Sequence, residues 1–146
     1  MKMDFKVNTE LMTEKTYQTK LKKILWLSMN RMKEIAKDKC PKNTGLLKRS
    51  IRLIPEIPGS SEYVLTDGVD YGIHMEYGTR PHWMPIDPLK SWANLKLGDS
   101  QIAYAIRAHI AKYGVDAHPF FRPALIEVRS IWIPKYFKDV MNSTAV

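Results

Sequence analysis

A run of apolar residues recurs at helical spacing near the start of the chain and limits the folds open to it. From about Thr9 to Lys39, Tyr17, Leu21, Ile24, Leu25, Met32, Ile35 and Ala36 recur at steps of three, four and seven. That period draws one face of a long amphipathic helix. Lys15, Lys22, Lys33 and Lys37 fall largely off that face, and Trp26 falls beside it, placed either to widen the core face or to meet a partner subunit, with the core expected. Cys40-Pro41 ends the helix, because the residue before a proline is driven out of the helical region. A helix with one apolar face must lay that face on another layer, so the remainder has to supply one.

The candidates for that layer are short. Asn43-Thr44-Gly45 predicts a turn, with Asn43 or Thr44 capping a helical turn through Leu46 and Leu47. Ser50 to Ile54 alternates, Ile51 and Leu53 against Arg52, as a half-buried strand does. Pro55 and Pro58-Gly59-Ser60-Ser61 break it, and a loop longer than a tight hairpin leads to a second strand over Glu62 to Thr66. Asp67-Gly68 turns the chain into Tyr71 to Arg80, YGIHMEYGTR. There Tyr71 and Met75, and His74 and Tyr77, share helical spacing, and Gly78 is placed to end the turn in the left-handed conformation.

Proline then dominates. RPHWMPIDP predicts an irregular loop, Pro88 opens a helix to Lys96 with Leu89, Trp92, Ala93 and Leu95, and Gly98 ends it. Asp99 or Ser100 caps a further helix to Tyr113, with Ile102, Ala103, Ile106, Ile110 and Tyr113 on one face, and Gly114 stops it. A last helix begins near Pro123 with the stripe Leu125, Val128, Ile131, Trp132 and Tyr136. Pro134 must kink or divide it, since it removes a donor and clashes with the preceding turn. The order predicts an α+β fold, with a long N-terminal helix and C-terminal helices packed on a small antiparallel sheet. At 146 residues we expect a single domain over 1–146, flexible at 1–8 and 142–146.

Charge is unevenly placed. Residues 1–49 hold 13 Lys/Arg against 5 Asp/Glu, whereas residues 50–146 hold 10 against 10, so the net +8 belongs to the first third. Such a patch suits a solvated helix face, an acidic partner or nucleic acid, with Lys22, Lys23 and Lys33 as the facing residues. The N-terminus, MKMDFKV, lacks the apolar core of a signal peptide, and the longest apolar run, Ile24 to Leu27, is far short of a membrane span; a soluble protein is expected. The lone Cys40 forms no intramolecular disulfide and fits a reducing compartment.

Residues arranged for catalysis or metal binding are scarce. His74, His82, His109 and His118 match no zinc spacing, and no cysteine pair helps them. Asp67, Asp70 and Glu76 form an acidic cluster of the kind that holds magnesium in a nuclease; His74 is available to such a site, but the nearest downstream lysine, Lys90, lies past a proline-rich loop. The competing account gives Asp67 to a turn and pairs Glu76 with Arg80, Arg122 or backbone amides. Cys40 has lysine neighbours but no readable histidine base, and no phosphate-binding glycine loop or nucleophile elbow is present. The expectation is therefore no enzyme, no metal and no cofactor.

Three blocks nevertheless stand out in order: Pro41, Thr44, Gly45, Leu47, Ser50 and Ile51; then Tyr71, Glu76, Gly78 and Thr79; then Pro119, Phe120, Pro123, Ala124 and Leu125. Together with the basic first helix they resemble the small neck, or minor tail-component, proteins of tailed bacteriophages, over about residues 10–140. The segment Pro81 to Gly114 is longer than in the shortest members, and Pro134 departs from the pattern. The resemblance implies a structural protein of head–tail joining and tail completion, forming a homo-oligomeric ring around the DNA channel in the virion neck or proximal tail after assembly in the host cytoplasm. It implies as partners a head-side connector or stopper and a tail terminator or tail-tube protein, with non-specific contact to genomic DNA and none to a membrane. A ring needs two complementary patches per subunit. The Arg80–Pro88 loop with Trp83, and the C-terminal helix with Trp132, are the candidates. The alternative function is a nucleic-acid-binding module using the basic helix.

Overall fold

The computed structural model describes residues 2–5, 15–41, 45–55 and 62–142. It has the expected α+β architecture and divides into two compact units, Met1–Glu76 with Pro119–Val146, and Tyr77–His118. Several expectations lie outside the described residues: the helix start at 9–14, the cap at Asn43 or Thr44, the loop 58–61, and the termini at 1, 6–8 and 143–146.

The larger unit contains β1 (Lys2–Phe5), α1 (Lys15–Lys39), α2 (Leu46–Ser50), β2 (Arg52–Pro55), β3 (Tyr63–Thr66) and α6 (Phe121–Glu127). It also holds a π-helical turn (Val128–Trp132) and α7 (Ile133–Asn142). The three strands are antiparallel in the order β1-β3-β2. Lys2–Phe5, expected to be flexible, instead pairs along β3, with Met3, Leu65 and Leu53 in one cross-strand row. Leu65 is fully buried in the main core and Leu53 packs against it. The alternation expected over Ser50 to Ile54 holds in its burial, with Ile51 buried and Arg52 exposed, but the strand is shifted: Ser50 closes α2 and Pro55, expected to break the strand, pairs with Tyr63.

Helix α1 organises this unit. It packs on β2 and β3 and also on α6, the π-turn and α7. Leu25, Met29, Met32, Ile35 and Ala36 meet Leu47, Ile51, Phe120, Phe121, Ala124 and Val128 in one core. Trp26 does not join them and is 50% exposed. Each residue turns the helix by about 100°, which carries position 26 away from Leu25 and onto the solvent side. Tyr17, near the start of α1, is exposed as well.

Pro134 acts as expected, and the manner is specific. The Ile133 amide donates to the Val128 carbonyl five residues back, so the helix widens to π geometry just before the residue that has no amide to give. The wider turn keeps Val128 inward and turns Ile131 out to solvent, where a regular stripe would have buried it.

The smaller unit is a helical hairpin, α4 (Ile86–Leu97) and α5 (Ile102–Tyr113). The first begins two residues before Pro88, and both end at the anticipated glycines, Gly98 and Gly114. Ahead of α5 the Asp99 carboxylate accepts from the Gln101 amide at 2.8 Å. Its core is small: Leu89, Ala93, Ala103 and Ile110, with Met84, Ile86, Ile106 and Val115 packed against them. Ile102 and Tyr113, at the ends of α5, stay partly exposed.

Candidate functional site

The residue that ties the sequence blocks together is Glu76. It sits in α3 (Gly72–Tyr77), a short helix following β3, and is only 2% exposed. Its Oε2 accepts the backbone amides of Phe120 at 2.7 Å and Phe121 at 2.9 Å, and its Oε1 accepts that of Arg122 at 2.8 Å. These amides open α6, whose N-cap position is Phe120 and whose own residues supply no side-chain cap. Orphan amides at a helix start need an acceptor, and a carboxylate there also meets the positive end of the helix dipole. Glu76 is thus an N-cap delivered from 44 residues away. Of the pairings expected for it, the backbone amides are the one observed.

The other block residues serve the same scaffold. Gly45 stands at the N-cap of α2 with φ 75°, and its carbonyl accepts the Arg49 amide at 3.0 Å. Leu47 and Ile51 are buried, and the Ser50 hydroxyl donates to the Leu47 carbonyl at 2.8 Å. Pro41 follows the helix end as a half-buried residue; Thr44 lies outside the described residues. Tyr71 is exposed, and its carbonyl starts α3 by accepting the Met75 amide at 3.1 Å. Phe120, Phe121 and Ala124 are fully buried, Pro119 is exposed, and Pro123 and Leu125 are half-buried.

Gly78 has φ 73°, and a Cβ there would come within 2.5 Å of the Val115 carbonyl oxygen. Next to it Thr79 forms an isolated antiparallel bridge, its amide donating to the Val115 carbonyl at 2.9 Å and its carbonyl accepting from the Val115 amide at 3.3 Å. The Thr79 hydroxyl also accepts from the Val115 amide at 3.1 Å. Glycine and threonine thus let two backbones meet at the base of the smaller unit.

The acidic cluster does not assemble as a cation site. Asp67 is fully buried against α3, so close to Gly72 that a Cβ there would overlap its carboxylate. Asp70 is exposed, and both Glu76 oxygens are occupied by amides. Among the described residues no three His, Cys, Asp or Glu side chains are placed to hold a metal ion. Of the histidines, His109 packs at a tilt against Tyr113 with ring centres 4.9 Å apart, and His82 Nδ1 lies 2.8 Å from the Arg80 carbonyl oxygen. Burial raises the Cys40 thiol above its ordinary value, which Lys48 opposes and Asp67 reinforces.

Two aromatic–cation groups remain. In the smaller unit the Arg107 guanidinium lies 4.5 Å from the Trp83 ring and 5.7 Å from the Tyr104 ring, and Lys90 Nζ lies 5.0 Å from Tyr104. A hydrogen bond with Tyr104 holds the Lys90 ammonium above its usual value. This surface ladder leaves Trp83 69% exposed. Sequence reading found Trp83 but missed the rest, although Tyr104 and Arg107 share helical spacing three apart. In the larger unit Trp132 is half-buried rather than presented to solvent, with Arg31 at 4.1 Å and Lys135 at 5.0 Å from its ring. The exposed apolar residues of that segment are Ile126, Ile131 and Phe137. Lys22 and Lys23 are exposed, while Lys33 is half-buried and reaches Asn30 Oδ1 at 3.2 Å and Glu34 at 3.6 Å.

No helix among the described residues is long and apolar enough to cross a membrane. No protein-family model matches the chain, and neither a curated protein nor a solved structure matches it significantly.

Proposed function

We propose that this chain is a non-enzymatic building block of a tailed-phage neck or proximal tail, closing into a ring that joins head to tail around the DNA channel. The observation that carries the reading is the Glu76 cap. The one carboxylate of the second block is spent on the amides that open the third, and residues of the first and third share one core. The blocks behind the family resemblance are thereby accounted for as scaffold.

The smaller unit supports assembly. It is near the roughly 40-residue size below which domains usually need disulfides, metals or oligomerisation. Its apolar residues are incompletely covered: Trp83, Leu95, Leu97, Tyr77 and Tyr113 are each more than half exposed. Trp, Tyr and Arg, the residues of the surface ladder, are those that concentrate binding energy in protein interfaces.

The test is the mass of the purified protein by light scattering, alone and with a head connector or tail terminator, followed by electron microscopy. Rings with a central hole are expected, and Trp83→Ala should weaken assembly at least tenfold while leaving the helical content intact. A protein that stays monomeric with every neck and tail partner would refute the reading. Unchanged assembly of Trp83→Ala would remove the ladder from the interface.

A further inference from the structure

We propose that the solvent face of α1 binds the phosphate backbone of a polynucleotide, with Trp26 lying against a base or sugar. The inference rests on this helix alone and not on ring assembly. At about 100° per residue, Lys15, Lys22, Trp26, Lys33 and Lys37 fall within about 60° of the helix circumference, and the row runs about 33 Å. Lys23 flanks it. Lys15, Lys22 and Trp26 are exposed, and Lys33 and Lys37 are half-exposed.

Two things separate this row from an ordinary solvated face. The first is Trp26 at its centre, half of it in water although α1 has a large core to offer. The second is how the neighbouring acids are used. Glu34 reaches one lysine of the row, Lys33, at 3.6 Å, and Asp38 turns away to Lys48 of α2 at 3.7 Å. Lys15, Lys22, Lys23 and Lys37 enter no ion pair among the described residues. Asn30 donates to the Trp26 carbonyl at 2.9 Å and accepts from Lys33, which fixes that lysine over the row.

Lysines interleaved with an exposed aromatic form a backbone track with a stacking platform. An anionic membrane would need the apolar face of such a helix, and here that face is already in the protein core. The row spans about ten phosphates at 3.4 Å each along one strand, so an oligonucleotide about 20 nucleotides long covers it.

The experiment is fluorescence anisotropy with such a labelled oligonucleotide, single-stranded and as the matching duplex, using the full chain between about 50 and 200 mM salt. Engagement of three to five lysines gives a slope of log affinity on log salt of about −2 to −4.5. The triple reversal Lys22→Glu, Lys23→Glu, Lys37→Glu should weaken binding at least tenfold and flatten the slope. Trp26→Ala should weaken single-strand binding about fivefold or more with the slope unchanged. An equal loss on duplex would place Trp26 on the sugar rather than a base, within the same proposal. Circular dichroism and urea midpoints check that these surface variants remain folded. Absence of binding, or binding indifferent to the triple reversal, overturns the inference. So does binding to phosphatidylserine vesicles with the same lysine and Trp26 dependence when no polynucleotide is bound.

Discussion

Glu76→Gln separates a structural from a chemical role for this carboxylate. The amide is nearly isosteric, and its remaining oxygen can still serve two of the three backbone donors. Its NH2 group must then face the third amide, donor against donor. One charge-assisted bond is lost, at about 1.5–3 kcal/mol, and the favourable charge at the helix start goes with it, at about 0.3–1 kcal/mol. The expected cost is about 2–4 kcal/mol. The site amplifies rather than softens this, because Glu76, Phe120 and Phe121 are all buried and water does not readily replace the acceptor. Glu76→Ala strands all three donors and should cost more, about 4–6 kcal/mol, a large part of the 5–15 kcal/mol that stabilises a typical domain. Glu76→Asp should fall between, its shorter side chain retracting from the amides. Urea unfolding followed by far-UV circular dichroism reads the midpoint directly, and an unchanged m-value would show that the surface exposed on unfolding is the same. A Glu76→Gln protein within about 0.5 kcal/mol of the parent would refute the cap, since that is the range of substitutions that break no special feature.

Two further predictions follow from the same core. The buried Cys40 thiol is held above its ordinary pKa, so the native state keeps its proton at pH values where the unfolded chain has lost it. The stabilisation is complete below the unfolded thiol value, about 8.5, and is lost as pH rises from there through the folded value. Unfolding midpoints should therefore fall on that side of neutrality less in Cys40→Ala than in the parent, and native Cys40 should react with a thiol reagent far more slowly than in urea. Between α1 and the C-terminal helices lies an apolar cavity of about 160 Å³, lined by Ile24, Met29, Val128 and Phe137 among others. Val128→Ile places one more methylene there and should stabilise by about 0.5–1 kcal/mol. A drop in the urea midpoint would mean that the space is not available to that side chain.

What was legible in the sequence was what depends on local chemistry. The steps of three and four drew α1, alternation drew β2, and the glycines at 78, 98 and 114 marked ends that the structure realises with positive φ. Strand β1 was not legible, because Lys2–Phe5 becomes a strand only by pairing with β3, some sixty residues on. Trp26 lies on the solvent side rather than in the expected core, because hydrophobicity alone does not say on which side of a stripe a residue falls. The partner of Glu76 was legible only as a set of alternatives. Nothing local distinguishes Arg80, Arg122 and an amide group, and the choice is made by the fold that brings α3 to the start of α6. The cation–π ladder needed three elements at once, the loop at Trp83, α4 and α5, so no window of sequence contains it.

The cap also bears on the segment between Pro81 and Gly114. The chain leaves the larger unit at Glu76 and rejoins it at Pro119, and the carboxylate of one end holds the amides just past the other. Within the smaller unit, Thr79 and Val115 are likewise bridged. No residue between these ties is a member of the main core cluster of the larger unit. Replacing Tyr77–His118 by about six Gly/Ser residues, whose reach is about 13 Å, leaves ample chain to connect Glu76 to the capped amides. The shorter loop lowers the entropy cost of closing the cap by about 0.6 kcal/mol for each halving of its length. The trimmed protein should therefore fold, keep its sensitivity to Glu76→Gln, and lose the assembly proposed above, since the exposed aromatic surface is gone. If it folded but lost that sensitivity, the cap would depend on the smaller unit and the two ties would not be independent. If it folded and still assembled, the proposed subunit contacts would lie elsewhere, with Ile126, Ile131 and Phe137 the next surface to test.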